Sequence, residues 1–423
     1  MRDSVCVQAA GGAGRPNAVT NAMIKTRRFR WALPFTLALC LLPAAALAGD
    51  GGGAEANPMH RMVVLVIQLG AILFVAKLGH ILFEKIGLPG PLGELAAGIL
   101  IGPYALGRLG FYGFAHGLFA PHPALGVSPE LYGLCAVASV VLMFSIGLET
   151  DLGMMRRYAT AGGLAGLGGV IMSFALGAGV GAVFSSALLG KPLDFFAPEC
   201  LLLGVIATAT SVGISARILL DKGKLNSPEG VTILSAAVID DVVGIILLAI
   251  VMGVVKASGA SGDVDWGRVG TVAAKAVGVW LTATVLGLLA SRRISAVLKW
   301  FGDRTSIAVM ALGLALILAG LFEEAGLAMI IGAYVMGLSL SKADISFAVQ
   351  EKLHPIGSFL VPVFFCVSGM RIDLGAIGSG GVLAFGLLYA AAALAAKALG
   401  CGLPVLLANF NLRGAARIGF GMA

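Results

Sequence analysis

VTILSAAVIDDVVGIILLAIVMGVV, residues 231–255, decides the class of this protein. Apart from Asp240 and Asp241 the run is uncharged. At about 1.5 Å per residue it is long enough to cross a hydrocarbon layer roughly 30 Å thick. Ionisable side chains at membrane depth are costly, so two adjacent carboxylates there mark a functional site. Adjacent helical residues point about 100° apart, so the two cannot serve one narrow face equally. One is free to face a path while the other faces a partner. The bland alternative is a pair of structural carboxylates hydrogen-bonded inside a bundle.

The rest of the chain agrees with a bilayer setting. Of 423 residues, 58% are apolar and 12% charged, and the mean hydropathy is +0.97. A soluble domain of this size cannot hide so much apolar side chain. Sixty-one glycines suit close helix packing in lipid. Apolar runs predict eleven spans, at about 61–83, 91–108, 130–149, 160–188, 199–216, 230–255, 270–290, 305–322, 326–340, 356–370 and 381–408. Residues 414–423 read as the start of a twelfth. The net charge of +7 lies in short clusters between the runs and not on a basic face, which argues against nucleic acid. Cys135, Cys200, Cys366 and Cys401 lack C-x-x-C spacing and read as small buried hydrophobes.

Residues 1–48 read as a signal peptide, with a basic stretch KTRRFR (25–30), a short apolar stretch (31–42) and an A-x-A site ending at Ala48. An uncleaved first helix is the alternative. Met23 just before the basic stretch makes residues 1–22 an over-extended start. Residues 49–59 then form a polar linker outside the cytoplasm, and 60–423 the membrane domain. With the N-terminus outside, the inner connections carry Lys85, Arg156, Arg157, Arg217, Lys222, Lys224, Arg292, Arg293, Lys299, Arg304, Lys342, Lys352, Arg413 and Arg417. The outer ones carry fewer basic residues, which is the positive-inside pattern. It places the chain as a multi-pass protein of a bacterial-type inner (plasma) membrane.

An internal repeat is visible. LMFSIGLETDL (142–152) matches FFCVSGMRIDL (364–374): an apolar stretch, Gly, an apolar residue, a charge, one residue, then Asp-Leu. The first copy ends at the inner face and the second at the outer face, as in inverted-repeat transporters whose site lies where the repeats meet.

Carboxylate oxygens suit hard monovalent cations, and an apolar surrounding lets protons compete for the same oxygens. Competition at one site is enough to make exchange obligatory. The helix before the Asp pair contains Thr208, Thr210 and Ser211 beside Gly213. Such a cluster suits a broken helix that lines a polar cavity, or ordinary contacts between helices. Lys397 lies deep in the run 381–408; it is a counter-charge for Asp240 or Asp241, or it snorkels to an interface. Glu94 lines a vestibule or caps a helix, and Lys77 and His80 read as snorkelling. Gly162, Gly163, Gly166, Gly168 and Gly169 form a close-packing stripe. No Walker, GxSxG or HExxH sequence occurs, so no enzyme, cofactor or ATP-driven reading has support.

Residues 60–422 resemble the monovalent cation:proton antiporter-2 family, within the wider group of sodium/proton antiporters. The markers are LGELAAGILIGP (92–103), MFSIGL (143–148), ATATS (207–211), AAVIDD (236–241) and FFCVSGM (364–370). The resemblance implies an all-α inverted-repeat fold with two broken, crossed helices, and a homodimer whose core domain moves like an elevator. By position, Asp241 resembles the aspartate that binds the cation, transiently, and the proton. Asp240 resembles the aspartate that pairs with the family's lysine, here Lys397. Thr210 and Ser211 match the breakpoint of the first crossed helix. The Asp-Asp pair resembles electrogenic sodium/proton exchangers; the potassium branch usually carries Gln-Asp. The second crossed helix would begin near Arg417 and run past Ala423, so about the last two helices are expected to be missing and activity impaired. Sodium/proton antiport is the leading expectation. Potassium/proton antiport and a non-transporting membrane subunit are the alternatives.

Overall fold

The computed structural model describes residues 58–110, 117–190, 192–210, 212–260, 266–373, 375 and 380–423. The expected signal peptide, Ser211 and the second repeat's Leu374 lie outside the described residues. Residues Val64–Leu109 and His116–Ala423 form one unit, and the architecture below is that of this unit. The other, Met1–Val63 with Gly110–Ala115, is described only at 58–63 and Gly110, where 58–63 are helical. Pro58 and Met59 therefore start the first helix instead of closing a linker.

Among the described residues the chain is helical, without strands. The α-helices in order are α1 (Pro58–Lys85), α2 (Gly90–Ile101), α3 (Pro129–Glu149), α4 (Leu152–Arg157), α5 (Ala159–Leu189), α6 (Pro198–Thr208), α7 (Val212–Asp221), α8 (Pro228–Ala260), α9 (Trp266–Lys299), α10 (Arg304–Glu324), α11 (Met329–Leu340), α12 (Ser346–Met370), α13 (Gly380–Gly402) and α14 (Leu412–Met422). Their starts follow local chemistry. Ser128 accepts a hydrogen bond from the Leu131 amide at the head of α3, with Pro129 first in the helix. Asp151, Asp303 and Asn411 cap α4, α10 and α14 in the same way.

Each of the eleven expected runs contains an α-helix, but not all of these helices are long. Nine segments of the described residues are long and apolar enough to cross a membrane, counting α6 and α7 together. The runs at 91–108 and 326–340 are instead the 12-residue helices α2 and α11. Each is about 18 Å long, short of a roughly 30 Å hydrocarbon layer. Large apolar side chains on the long helices face outward, among them Val66, Ile171, Leu289, Leu321 and Leu387. Cys135, Cys200, Cys366 and Cys401 are free and buried.

The two short helices explain the repeat. Gly147, in the first copy, packs against the backbone of α11 at Tyr334 and Gly337. Gly369, in the second copy, packs against the backbone of α2 at Leu95, and Gly98 of α2 packs against Cys366. Each copy thus presents its glycine to a short helix, because no side chain fits where two backbones approach this closely.

The basic connections gather at one end of the bundle. Asn226 bridges α3 and α4, accepting from the Asp151 amide at 2.9 Å and donating to the Glu149 carbonyl at 2.9 Å. Lys299 and Ser295 of α9 both donate to Asp344, after α11. These bonds hold the Asp344 carboxyl below the usual carboxylate range. Arg304 pairs with Glu351 at 3.5 Å, and Arg417 with Glu229 at 2.9 Å. Exposed pairs of this kind contribute at most about 1 kcal/mol each, so they orient helix ends more than they stabilise them.

Gly98→Val should lower thermal stability by about 1–3 kcal/mol, because the added side chain meets the Cys366 backbone and the helices must part. Gly133→Ala, where an added Cβ meets nothing within 4 Å, should change it by no more than about 0.5 kcal/mol. Thermal unfolding of the detergent-purified variants compares the two.

Candidate functional site

Asp240 and Asp241 lie within α8, and Lys397 lies within α13. Asp240 is 2% exposed and Lys397 4%. Lys397 Nζ donates to Asp240 Oδ1 at 2.6 Å and to the Thr208 carbonyl oxygen at 2.8 Å. The lysine therefore does not snorkel. Its charge is balanced in place by a carboxylate and by the last carbonyl of a helix, where the helix dipole is negative.

Thr208 is where the chain breaks. α6 ends there, Ala209 is extended (φ −62°, ψ 123°), and α7 starts at Val212. A helix that stops inside the bundle leaves its last carbonyls without amide partners. Three of the last four have partners among the described residues, and just before them the Leu203 carbonyl also accepts from the Tyr389 hydroxyl. The Val205 carbonyl accepts from the Thr208 hydroxyl at 2.7 Å, and the Ile206 carbonyl from the Ala209 amide at 3.2 Å. The Thr208 carbonyl takes Lys397, with the Thr210 hydroxyl at 3.4 Å. Thr208 and Thr210 thus lie at a break in the helix. Ser211 lies outside the described residues.

Asp241 differs from its neighbour. It is partly exposed, and among the described residues its carboxylate makes no hydrogen bond or ion pair. The 100° step between adjacent helical residues produces this split, turning Asp240 to Lys397 and leaving Asp241 accessible. Among the described residues no three His, Cys, Asp or Glu side chains converge as ligands for a resident metal.

The glycine stripe of α5 sets the spacing. Gly162 faces Ser235 and Gly166 faces the Ala236 carbonyl, so α8 lies close on one side. Gly168 faces the Gly400 carbonyl, and Gly169 faces Cys401 and Lys397, so α13 lies close on the other. Larger residues would move either helix outward and separate Lys397 from Asp240. The C-terminal segment joins this group through α7, where the Ser215 hydroxyl donates to the Gly421 carbonyl of α14 at 3.0 Å.

Two features were not legible in the sequence. Tyr389 lies two turns before Lys397 on α13 and grips the same broken helix; its only signal is one hydroxyl in an apolar run. His80 does not snorkel, but bonds the buried Glu94 at 2.8 Å. Its signal was a histidine near the end of one span and a glutamate near the start of the next. Glu149 and Asp151 remain at a helix end, and Arg371 lies over the Tyr132 ring at 5.3 Å.

Residues 70–423 match the family described as "Sodium/hydrogen exchanger, transmembrane". The chain is 32% identical over 359 residues to the Na(+)/H(+)-K(+) antiporter GerN of Bacillus cereus, covering 84% of this chain and 83% of that protein. It is 28% identical over 332 residues to the high-affinity Na(+)/H(+) antiporter NhaS3 of Synechocystis sp., covering 73% and 68%. Among solved structures, the sodium proton antiporter MjNhaP1 of Methanocaldococcus jannaschii shares the fold, with a TM-score of 0.58, 17% identity and 85% of each chain covered.

Removing one partner of a buried pair leaves an uncompensated charge. Lys397→Met should therefore destabilise the protein by about 3–5 kcal/mol, and the double variant Asp240→Asn with Lys397→Met should recover most of that loss. Thermal unfolding of the single and double variants measures the coupling. Additive losses would mean that the two side chains do not stabilise each other.

Proposed function

The chain belongs to the sodium/hydrogen exchanger family, and on that premise we propose that it exchanges sodium for protons at Asp241, with Asp240 and Lys397 as the supporting charge pair. The observation that carries this reading is the contrast within one dipeptide: Asp240 is sealed against Lys397 at the break between α6 and α7, while Asp241 beside it is partly exposed and, among the described residues, makes no hydrogen bond or ion pair.

The physical account is short. A sodium ion that loses part of its water shell needs oxygen ligands and a negative charge. Asp241 supplies both, and Thr210 and the carbonyls of the break, which lie beside Asp240 and Lys397, are the neutral oxygens expected to help. A carboxylate that holds a proton has no charge left for the cation, so each occupant excludes the other. Exchange follows when the site faces the two sides of the membrane in turn. Lys397 adds a second proton. When a cation draws Asp240 away, the ammonium loses its counter-charge in an apolar surrounding and releases a proton. Two protons for one cation make the cycle electrogenic.

Potassium is the second candidate, because the relative GerN is named a Na(+)/H(+)-K(+) antiporter. The proposal extends to a homodimer in a bacterial-type plasma membrane, with the N-terminus of the 60–423 domain outside. The gathering of the basic connections at one end of the bundle supports that orientation.

Reconstitution in liposomes with a pH-sensitive dye separates these readings. Adding sodium should dissipate an imposed pH gradient, and Asp241→Asn should reduce that response by about a hundredfold or more. Undiminished exchange in Asp241→Asn would sink the site assignment. A response to potassium as large as that to sodium would favour the second candidate. Lys397→Ala should abolish the exchange current while leaving residual electroneutral exchange.

A further inference from the structure

The pair formed by His80 and Glu94 lies outside the site on α8. Glu94 of α2 is 4% exposed. Its Oε1 lies 2.8 Å from His80 Nδ1, while its Oε2 is buried and has no hydrogen-bond partner among the described residues. On the far side of the imidazole, His80 Nε2 lies 3.4 Å from Glu84 Oε1. The Glu84 side chain is 61% exposed, and that of His80 14%. A continuous line therefore runs from an exposed carboxylate, through both ring nitrogens, to a buried carboxylate.

Close packing holds the line in place. Gly79 of α1 and Gly93 of α2 meet backbone to backbone, and Gly90 lies directly against the His80 ring. The imidazole cannot swing away without parting the two helices. An ionised Glu94 with one bare oxygen is costly in this surrounding, and a proton on the carboxyl removes the charge.

We propose that Glu84, His80 and Glu94 form a proton relay, and that Glu94 is a second protonatable site of the bundle, separate from Asp240 and Asp241. The transfer balances simply. A proton passing by Glu84 adds to His80 Nε2 and makes the imidazolium. The imidazolium gives its Nδ1 proton to Glu94 Oε1, which leaves neutral imidazole and a neutral carboxyl. The reverse steps reset the ring: the Glu94 Oε1 proton returns to Nδ1, and the Nε2 proton leaves by Glu84.

The charge on Glu94 reaches the transport machinery through α7. Arg217 of α7 and Lys77 of α1 are within electrostatic range of Glu94, as is Cys366 of α12. Arg217 also bonds Asp221 on its own helix at 3.1 Å and lies within range of Glu149. Protonating Glu94 removes one of the carboxylate charges that attract Arg217. α7 is the second half of the broken helix, so its position follows the state of the relay. That consequence rests on the antiport reading; the relay itself does not.

Two measurements test the proposal. In the first, the full chain is reconstituted in lipid with glutamate carbon-13 labelled at its carboxyl, and its infrared spectrum is followed between about pH 5 and 9. A protonated-carboxyl band that shifts with the glutamate label, titrates in this range and survives Asp240→Asn with Asp241→Asn is the expected result. Absence of such a band in the wild-type protein overturns the proposal, whatever the transport activity. In the second, Glu94→Gln and His80→Gln should each move the midpoint of the pH profile of sodium-driven exchange by about one unit. Half-saturating sodium at the optimum should stay within about twofold. Profiles that superimpose on the wild type, or loss of exchange at every pH in variants that fold, would overturn it. If Glu94→Gln does not fold, the wild-type infrared result decides. Failure of the antiport reading would leave the labelled band in place while abolishing exchange in the wild type.

Discussion

One ammonium group holds the centre of this protein together. Nζ of Lys397 is buried between the Asp240 carboxylate of α8 and the Thr208 carbonyl that ends α6. A lysine at that depth is tolerable only when a full counter-charge meets it, and a carboxylate there only when a cation meets it. The two groups are therefore each other's condition for being buried. Because the same ammonium also caps the broken helix, three helices depend on one contact. Any event that weakens it loosens all three, which is the property a transport site needs.

The break in α6–α7 is stable for the same reason. Non-helical backbone at membrane depth is tolerated only where its polar groups find partners. The Thr208 hydroxyl, the Ala209 amide and Lys397 take carbonyls of the last turn, and Tyr389 takes that of Leu203 just before it. Two of these partners, Tyr389 and Lys397, come from α13. That helix fastens the broken helix at two levels, and α5 fixes how near it comes, because Gly168 meets the Gly400 carbonyl and Gly169 meets Cys401 where no side chain would fit. The site is thus a set of distances imposed by small residues, and not a preformed cage of ligands.

The same packing rule explains the symmetry. In both copies of the repeat, a glycine before a charged residue meets the backbone of a 12-residue helix: α11 for Gly147 and α2 for Gly369. The short helices are then the pieces around which the long ones are arranged. α2 carries Glu94, so the scaffold that repeats the architecture also holds the second buried carboxyl. The His80–Glu94 pair and the broken helix are linked electrostatically through Arg217, although they share no residue.

Much of this was legible in order of residues alone. Membrane depth makes polar side chains expensive, so the few that interrupt apolar runs stand out: Asp240, Asp241, Lys397 and the hydroxyls at 208–210. Glycine spacing marked α5 as a packing face, and the matching sequences at 142–152 and 364–374 marked the repeat. Length was less legible, since the runs at 91–108 and 326–340 are as apolar as true spans but form short helices. What only the tertiary structure decided was who meets whom. His80 and Glu94 belong to different helices, and nothing in either run says that they bond. Tyr389 looks like any aromatic in an apolar helix until the Leu203 carbonyl lies against it. The sequence states which charges must be satisfied, because lipid gives them no alternative. Only the packing of helices can state by which partner, because pairing depends on rotation and depth, and those are set by contacts far apart in the chain.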